Sequence, residues 1–254
     1  MLEVIDSHAH LDEVEDLCDA LSKAAAAGVV AIIAVGSNDQ SNHKVIEISR
    51  KNVSLVYPAL GLHPWELGHL DPSGINMTLK FIEEQMPKIA AIGEIGLDYD
   101  KRVIRVASKD IQKDSLKRLL LLAVRYGKPI SIHSRYAWKD TFDLVREARV
   151  EKAVFHWFTG FSSVLKGILE AGYFISATPA AEYHEEHKRA IRETPPEQLL
   201  LETDCPVTYG REDKYRALPQ DVIRSLEAAA ILKDMDKQDL ARQTTSNAVE
   251  IFGL

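Results

Sequence analysis

An α/β chain closing into a TIM-type (β/α)8 barrel, a single domain over residues 1–254, is what this sequence predicts, on three observations. Short runs rich in Val, Ile and Leu recur, each followed by a longer stretch of helical period. There are about eight such alternations, the number that closes a parallel barrel. The runs are apolar throughout instead of alternating, as expected of strands covered on both faces. The length of 254 residues suits such a barrel and supplies a core that needs no disulfide staples. An open doubly wound sheet is the second reading.

Strands are expected at residues 2–6, 29–35, 55–60, 90–93, 130–133, 153–156, 173–176 and 199–202. Amphipathic stretches such as VEDLCDALSKAAAAG and QKDSLKRLLLLAVRYG lie between them. The second meets Gly127 just ahead of Lys128-Pro129, a combination that stops helices. LDYDKRVIRVASKD is a longer connection after the fourth strand, of the kind that often carries function. No low-complexity linker, internal repeat or break in composition divides the chain.

With 46% apolar and 27% charged residues the composition is that of a soluble globular protein. Cys18 and Cys205 are far apart and form no C-x-x-C pair, so no disulfide framework is expected and a reducing cytoplasm is the natural compartment. MLEVIDSHAH has no basic region followed by a long apolar core, which argues against a signal peptide. Runs such as GVVAIIAVG are too short to span a bilayer, so no membrane association is expected. A net charge of −7 argues against a protein that coats nucleic acid, without excluding an enzyme that meets phosphates through bound cations.

The informative residues sit where the apolar runs end. His8 and His10 follow strand one, His63 strand three (GLHPW) and Glu94 strand four. His133 closes strand five, His156 follows strand six, and Asp204 follows strand eight. In a (β/α)8 barrel these ends converge on the face where active sites lie. Residues i and i+2 of a strand point to one side, so His8 and His10 can share an ion. Alone, His-x-His fits a solvated strand end equally well; with His133, His156, Glu94 and Asp204 at other strand ends it indicates a metal site. Four imidazoles and two carboxylates exceed one tetrahedral ion and suit two divalent ions bridged by a carboxylate. Glu94 is the natural bridge. His8, His10 and Asp204 then complete one ion's shell, and His133 and His156 the other's. Mixed nitrogen and oxygen donors favour Zn²⁺, Mn²⁺ or Fe²⁺ over Mg²⁺.

Other polar residues carry two readings each. His63 is a substrate contact or a polar loop residue, and Arg135 steadies a phosphate or forms a surface ion pair. Lys101, Arg102, Arg105 and Lys109 form a phosphate-attracting rim or are solvated loop charges. His184 and His187 have the spacing of a metal pair on a helix, but Glu185 and Glu186 between them favour an exposed charged helix. His43 and His69 lack supporting context. Trp157 and Phe158 are expected to pack at the barrel mouth, where stacking on a base is the functional alternative.

DSHAHLD, GLHP, IGEIGLDY, PISIHSR, FHWFTG and LLLETDCP resemble, in order, the motifs of the TatD-related metal-dependent hydrolases, and SNAVEIFGL matches their C-terminal ending. The resemblance covers essentially the whole chain. It implies a TIM-barrel metallo-hydrolase of deoxyribonuclease type that cleaves phosphodiesters in the cytoplasm. It also implies ligands at His8, His10, Glu94, His133, His156 and Asp204, with Glu94 and Asp204 catalytic. The chain departs from the family at Trp157, where many members have Cys, in the connection after GLDY, and in ISATPAAEY. These departures spare the expected ligands and remodel the rim, which bears on the substrate.

The implied mechanism is two-metal phosphodiester hydrolysis on DNA or another phosphodiester, with Asp204 taking the proton from water and Arg135 and His63 holding a phosphoryl oxygen. One rival is a metal-dependent amidohydrolase or ester hydrolase, including one acting on D-aminoacyl-tRNA. Many amidohydrolases bridge their ions with a modified Lys where this chain has Glu94. A non-catalytic nucleic-acid-binding barrel is the third reading, disfavoured by the intact ligand set and the acidic charge. Oligomeric state is not legible in the sequence.

Overall fold

The computed structural model describes residues 2–254. Eight parallel strands follow one another around one sheet in chain order. They are β1 (Val4–Ala9), β2 (Val29–Val35), β3 (Val56–Leu62), β4 (Ala91–Asp98), β5 (Ile130–Arg135), β6 (Ala153–Phe155), β7 (Phe174–Ala177) and β8 (Leu199–Leu201). The connecting segments carry α1 (Leu17–Ala26), α2 (Asp39–Lys51), α3 (Pro72–Gln85), α4 (Lys101–Ile104), α5 (Lys109–Tyr126), α6 (Trp138–Glu147), α7 (Ser162–Glu170) and α8 (Glu185–Glu193). α9 (Val222–Lys233) and α10 (Lys237–Phe252) end the chain, after a short hairpin of β9 (Thr208–Tyr209) and β10 (Tyr215–Arg216). This is the expected (β/α)8 architecture. Among the described residues no helix is long and apolar enough to cross a membrane, and both cysteines are free.

Helix limits follow local chemistry. In α5 the Ser108 side chain accepts the Ile111 N–H, and Gly127 at φ 61 ends the helix where the sequence places its stop. The expected helical stretch opening with Val14 begins later, at Leu17, because Leu11–Glu13 first form a short 3-10 turn. The connection after β4 is not bare loop: α4 occupies part of it.

Strands one, three, four, five and seven run beyond their expected ends, strand seven by one residue. The apolar run stops at the first polar residue, but backbone pairing continues, so that Gly96, Leu97 and Asp98 of β4 still pair with His133, Ser134 and Arg135. Besides one at Val4/Ile5, irregularities in the ladders fall at Asp6/Ala9, Leu60/Leu62 and Ile92/Ile95. A bulge re-aims the side chains beside it, and the last three bracket His8, Gly61 and Glu94. Gly61 permits the close approach of β3 and β4 here, since a Cβ on it would lie 2.2 Å from the Glu94 carbonyl oxygen.

Hydrogen-bonded ladders join β1 through β8, and the β8–β1 seam is stitched differently. Beyond the short β8, the Thr203 N–H and Oγ1 donate to the Asp6 carboxylate at 3.0 and 2.6 Å. The Asp204 N–H donates to the His8 carbonyl at 2.9 Å, and the His10 N–H to that of Cys205 at 2.8 Å. The bonds that close the barrel therefore also set Asp204 beside His8. Ile5, Ala31, Ile33, Val35, Ala59 and Leu200 form an apolar cluster of their own with Ile251 and Phe252 of α10.

Candidate metal centre

Glu94 is the centre of the arrangement. It is buried, and its two oxygens face different imidazoles. Oε2 lies 3.2 Å from His10 Nε2 and 3.6 Å from His8 Nε2. Oε1 lies 2.9 Å from His133 Nδ1, 2.9 Å from His156 Nε2 and 3.3 Å from His63 Nε2. Asp204 Oδ1 stands on the Oε2 side, 3.6 Å from His8 Nε2 and 3.5 Å from His10 Nε2. The structure thus brings all six expected ligand residues and His63 to one cluster.

The donor atoms suit a cation. Compact groups form from His8, His10 and Asp204, from His63, Glu94 and His133, and from His8, His156 and Glu202. The first matches one expected ion shell. The second differs from the expected one by taking in His63, although His156 also touches Glu94. His8 Nε2 is buried without a hydrogen-bond partner, an orphan that a metal bond would satisfy.

Electrostatics point the same way. Burial disfavours the Glu94 anion, yet His63, His156, His10 and His133 outweigh it and hold its carboxyl well below the ordinary range. Burial likewise opposes charge on His10, and Glu94 and Asp204 overcome it, raising the ring to about 9. His156 is held well above its usual value by Glu94 and Glu202 against burial. For His8 burial prevails, with His156 adding to it, and the ring falls to about 4. Burial lifts Asp204 to about 7, against the pull of His156 and His10. The carboxylates here draw protons onto rings, and divalent ions compete for the same sites.

The outer nitrogens of three rings are anchored. Ser131 Oγ is 2.9 Å from His8 Nδ1, Asp98 Oδ2 is 3.1 Å from His133 Nε2, and Glu202 Oε1 is 3.3 Å from His156 Nδ1. Such partners fix ring orientation and basicity. Asp98 also accepts from Trp65 Nε1 at 2.6 Å and from Arg135 Nε at 3.1 Å, and pairs with Arg135 Nη2 at 2.9 Å. Sequence reasoning missed Asp98, Glu202 and Ser131. The available signal was parity, since Glu202 is two residues before Asp204 and Asp98 four after Glu94.

Arg135 is therefore no surface ion pair: it grips a fully buried carboxylate, and its guanidinium lies 5.2 Å from the Trp65 ring. His63 receives the Trp65 N–H on Nδ1 at 3.2 Å, which places the proton of the neutral ring on Nε2. Lys101, Arg102, Arg105 and Lys109 do not line the cavity above the cluster. Arg102 pairs with Asp100, and Lys109 sits over Tyr99.

His184 and His187 are not a metal pair. His184 caps α8, accepting the His187 N–H. His187 is fully buried, correcting the exposed-helix expectation for that residue: Nε2 accepts the Thr178 N–H at 3.0 Å and Nδ1 donates to the Phe158 carbonyl at 3.1 Å. Phe158 is core, whereas Trp157 lines the cavity.

The cavity has a volume of about 830 Å³, with Glu94, His10, His133, His156 and Asp204 on its wall. Tyr136, Trp157 and Asp204, all on that wall, are in the left-handed region at φ 57, 41 and 49. Bulky residues rarely adopt it, and such strain gathers at functional sites.

The human deoxyribonuclease TATDN3 is 33% identical over 261 residues, covering 98% of this chain and 94% of its own. The Bacillus subtilis uncharacterized metal-dependent hydrolase YabD is 31% identical, covering 98% of each chain. The crystal structure of the Escherichia coli TatD homologue YjjV superposes with a TM-score of 0.89 at 27% identity, covering 100% of this chain and 99% of that one. The model of the TatD related DNase family matches residues 5–253, and the chain belongs to that family.

Proposed function

We propose that this protein is a metal-dependent phosphodiesterase that cleaves DNA. The observation that carries this is the division of Glu94 between two sets of imidazoles at the floor of an open cavity whose wall presents Arg135. Membership of a family whose relatives are named deoxyribonucleases and metal-dependent hydrolases supports it.

His8, His10, Asp204 and Glu94 would hold one divalent ion, and Glu94, His133 and His156 a second. Bound there, such ions supply acidified water near neutral pH and neutralise charge developing on the phosphoryl oxygens. The protein's own groups do the rest. Asp204 is the proton acceptor: its carboxylate stands on the cavity wall on the Oε2 side of Glu94, beside His8 and His10, where a water at the centre would meet it. His63, whose Nε2 faces Glu94 Oε1 at 3.3 Å, stands on the cavity wall beside the cluster as the substrate contact. Arg135 contributes a fixed cation, because its Nε donates to Asp98 at 3.1 Å and its Nη2 lies 2.9 Å from the same carboxylate.

The test is cleavage of labelled single-stranded DNA by the metal-reconstituted protein, beside Glu94→Ala and a chelator control. Cleavage lost in both controls is the expected result. No cleavage by protein that still binds its ions overturns the reading in favour of a carboxylic ester or amide substrate.

A further inference from the structure

Four aromatic side chains are exposed: Trp65 (48%), Tyr126 (43%), Tyr136 (61%) and Phe161 (66%). Three of them stand on or beside the wall of one cavity. Tyr136 and Phe161 flank Trp138, with ring centroids 5.8 and 5.3 Å from it in edge-to-face geometry. The row continues the wall outward from His133 and Arg135. Tyr136 is held at φ 57 although it is a bulky residue, so its backbone energy is spent presenting a ring that packs little. Gly160 makes the packing beside Trp138 possible: a Cβ there would lie 2.5 Å from both Trp138 and Phe158. Trp138 Nε1 is buried without a partner.

Charge divides the mouth in the same way. Outside the metal cluster, the carboxylates on the wall are Glu13, Glu66 and Glu186, which follow β1, β3 and β7, and Arg216 of β10 stands beside Glu13, donating to its carbonyl at 3.2 Å. The sector that follows β5 and β6 adds hydroxyls, aromatic rings and Arg135, and no carboxylate. A polyanion is therefore favoured along the β5–β6 sector over the Glu66 and Glu186 sectors.

We propose that Tyr136, Trp138 and Phe161 form a stacking track for the bases of the strand whose phosphodiester sits at the metal centre. The inference rests on the phosphodiesterase reading and assigns it a specificity element. Rings of this kind hold bases without reading sequence, because every base has a π-face. The track is accordingly sensitive to the presence of bases and indifferent to their order.

The test compares the metal-loaded protein on a single-stranded oligonucleotide and on a chain of equal length with tetrahydrofuran in place of every nucleoside. In Tyr136→Leu and in Phe161→Leu, the ratio of kcat/KM between the two chains should fall about tenfold, through KM, as expected for one lost stacking contact. Tyr136→Phe should restore the wild-type ratio, which separates stacking from a merely structural role. An unchanged ratio, or an equal loss on both chains, overturns the track and leaves the phosphodiesterase reading standing. If the wild-type protein cleaves neither chain, that reading falls and the track falls with it.

Discussion

Two buried regions of this barrel are built from the same strands and differ in kind. In one, Ile5, Ile33, Val35, Ala59 and Leu200 meet Ile251 and Phe252 of α10. There the β2–β3 ladder runs without interruption, and apolar groups of the right volume are all that packing requires. In the other, His8, His63, Glu94, Asp98, His156, Glu202 and Asp204 are buried together. Three of the four ladder irregularities fall in that region, left-handed Tyr136, Trp157 and Asp204 stand on its cavity wall, and its polar groups depend on named partners. The apolar region supplies stability at little positional cost. The polar region gives up solvation to hold charges where a cation and a phosphate can use them.

If that division is right, variants at the two regions separate turnover from stability. The largest effect is expected at Glu94→Ala, which should lower kcat by roughly 10⁴-fold and reduce bound metal in elemental analysis. Near-normal turnover there would break the comparison outright. Asp204→Asn follows, with turnover reduced by about 10³-fold while circular dichroism stays native. Asn tolerates the left-handed φ of 49 at this position, so a misfolded variant would contradict the assignment of strain without gain. Ile33→Ala should behave oppositely, costing about 3 kcal/mol in denaturant unfolding while turnover per folded molecule is kept.

His187 lies between these extremes, a buried polar residue with a structural task. Burial lowers its ring from 6.5 to about 4. Its folded value is below the unfolded one, so the unfolded chain binds more protons between those pH values and stability falls as pH falls through that window. The shift corresponds to about 3 kcal/mol. His187→Gln should flatten the loss of stability between pH 6.5 and 4 by an amount of that order. An unchanged slope in urea titrations at several pH values would remove His187 from the account. The smallest effect is expected at Asp98→Asn, an amide too poor in acceptors to serve Trp65, His133 and Arg135 together. It should lower activity by about 10- to 100-fold, with KM raised through Arg135 as well as kcat lowered. A pure stability loss would sharpen the comparison by moving Asp98 to the structural side.

Much of this was legible in one dimension. The alternation of apolar runs with helical segments states the barrel, because strand and helix periods are local properties of the chain. His8, His10, Glu94, His133, His156 and Asp204 stood out because each is polar where an apolar run ends, and a barrel gathers such ends on one face. Gly127 ended α5 where its sequence context placed the stop.

Other features depend on pairs of residues remote in sequence, and only the tertiary structure decided them. The anchoring of His133 by Asp98 and of His156 by Glu202 spans 35 and 46 positions. The seam bond from Thr203 to Asp6 spans 197. The bulges at His8 and Glu94 arise from register between strands, which no single strand encodes. The burial of His187 and the row of Tyr136, Trp138 and Phe161 likewise depend on which helix and loop meet in space. Residue type and local period specified what chemistry the chain carries. The partner of each polar group, and hence its charge and orientation, was set by folding, because a buried charge takes its energy from neighbours that the linear sequence keeps apart.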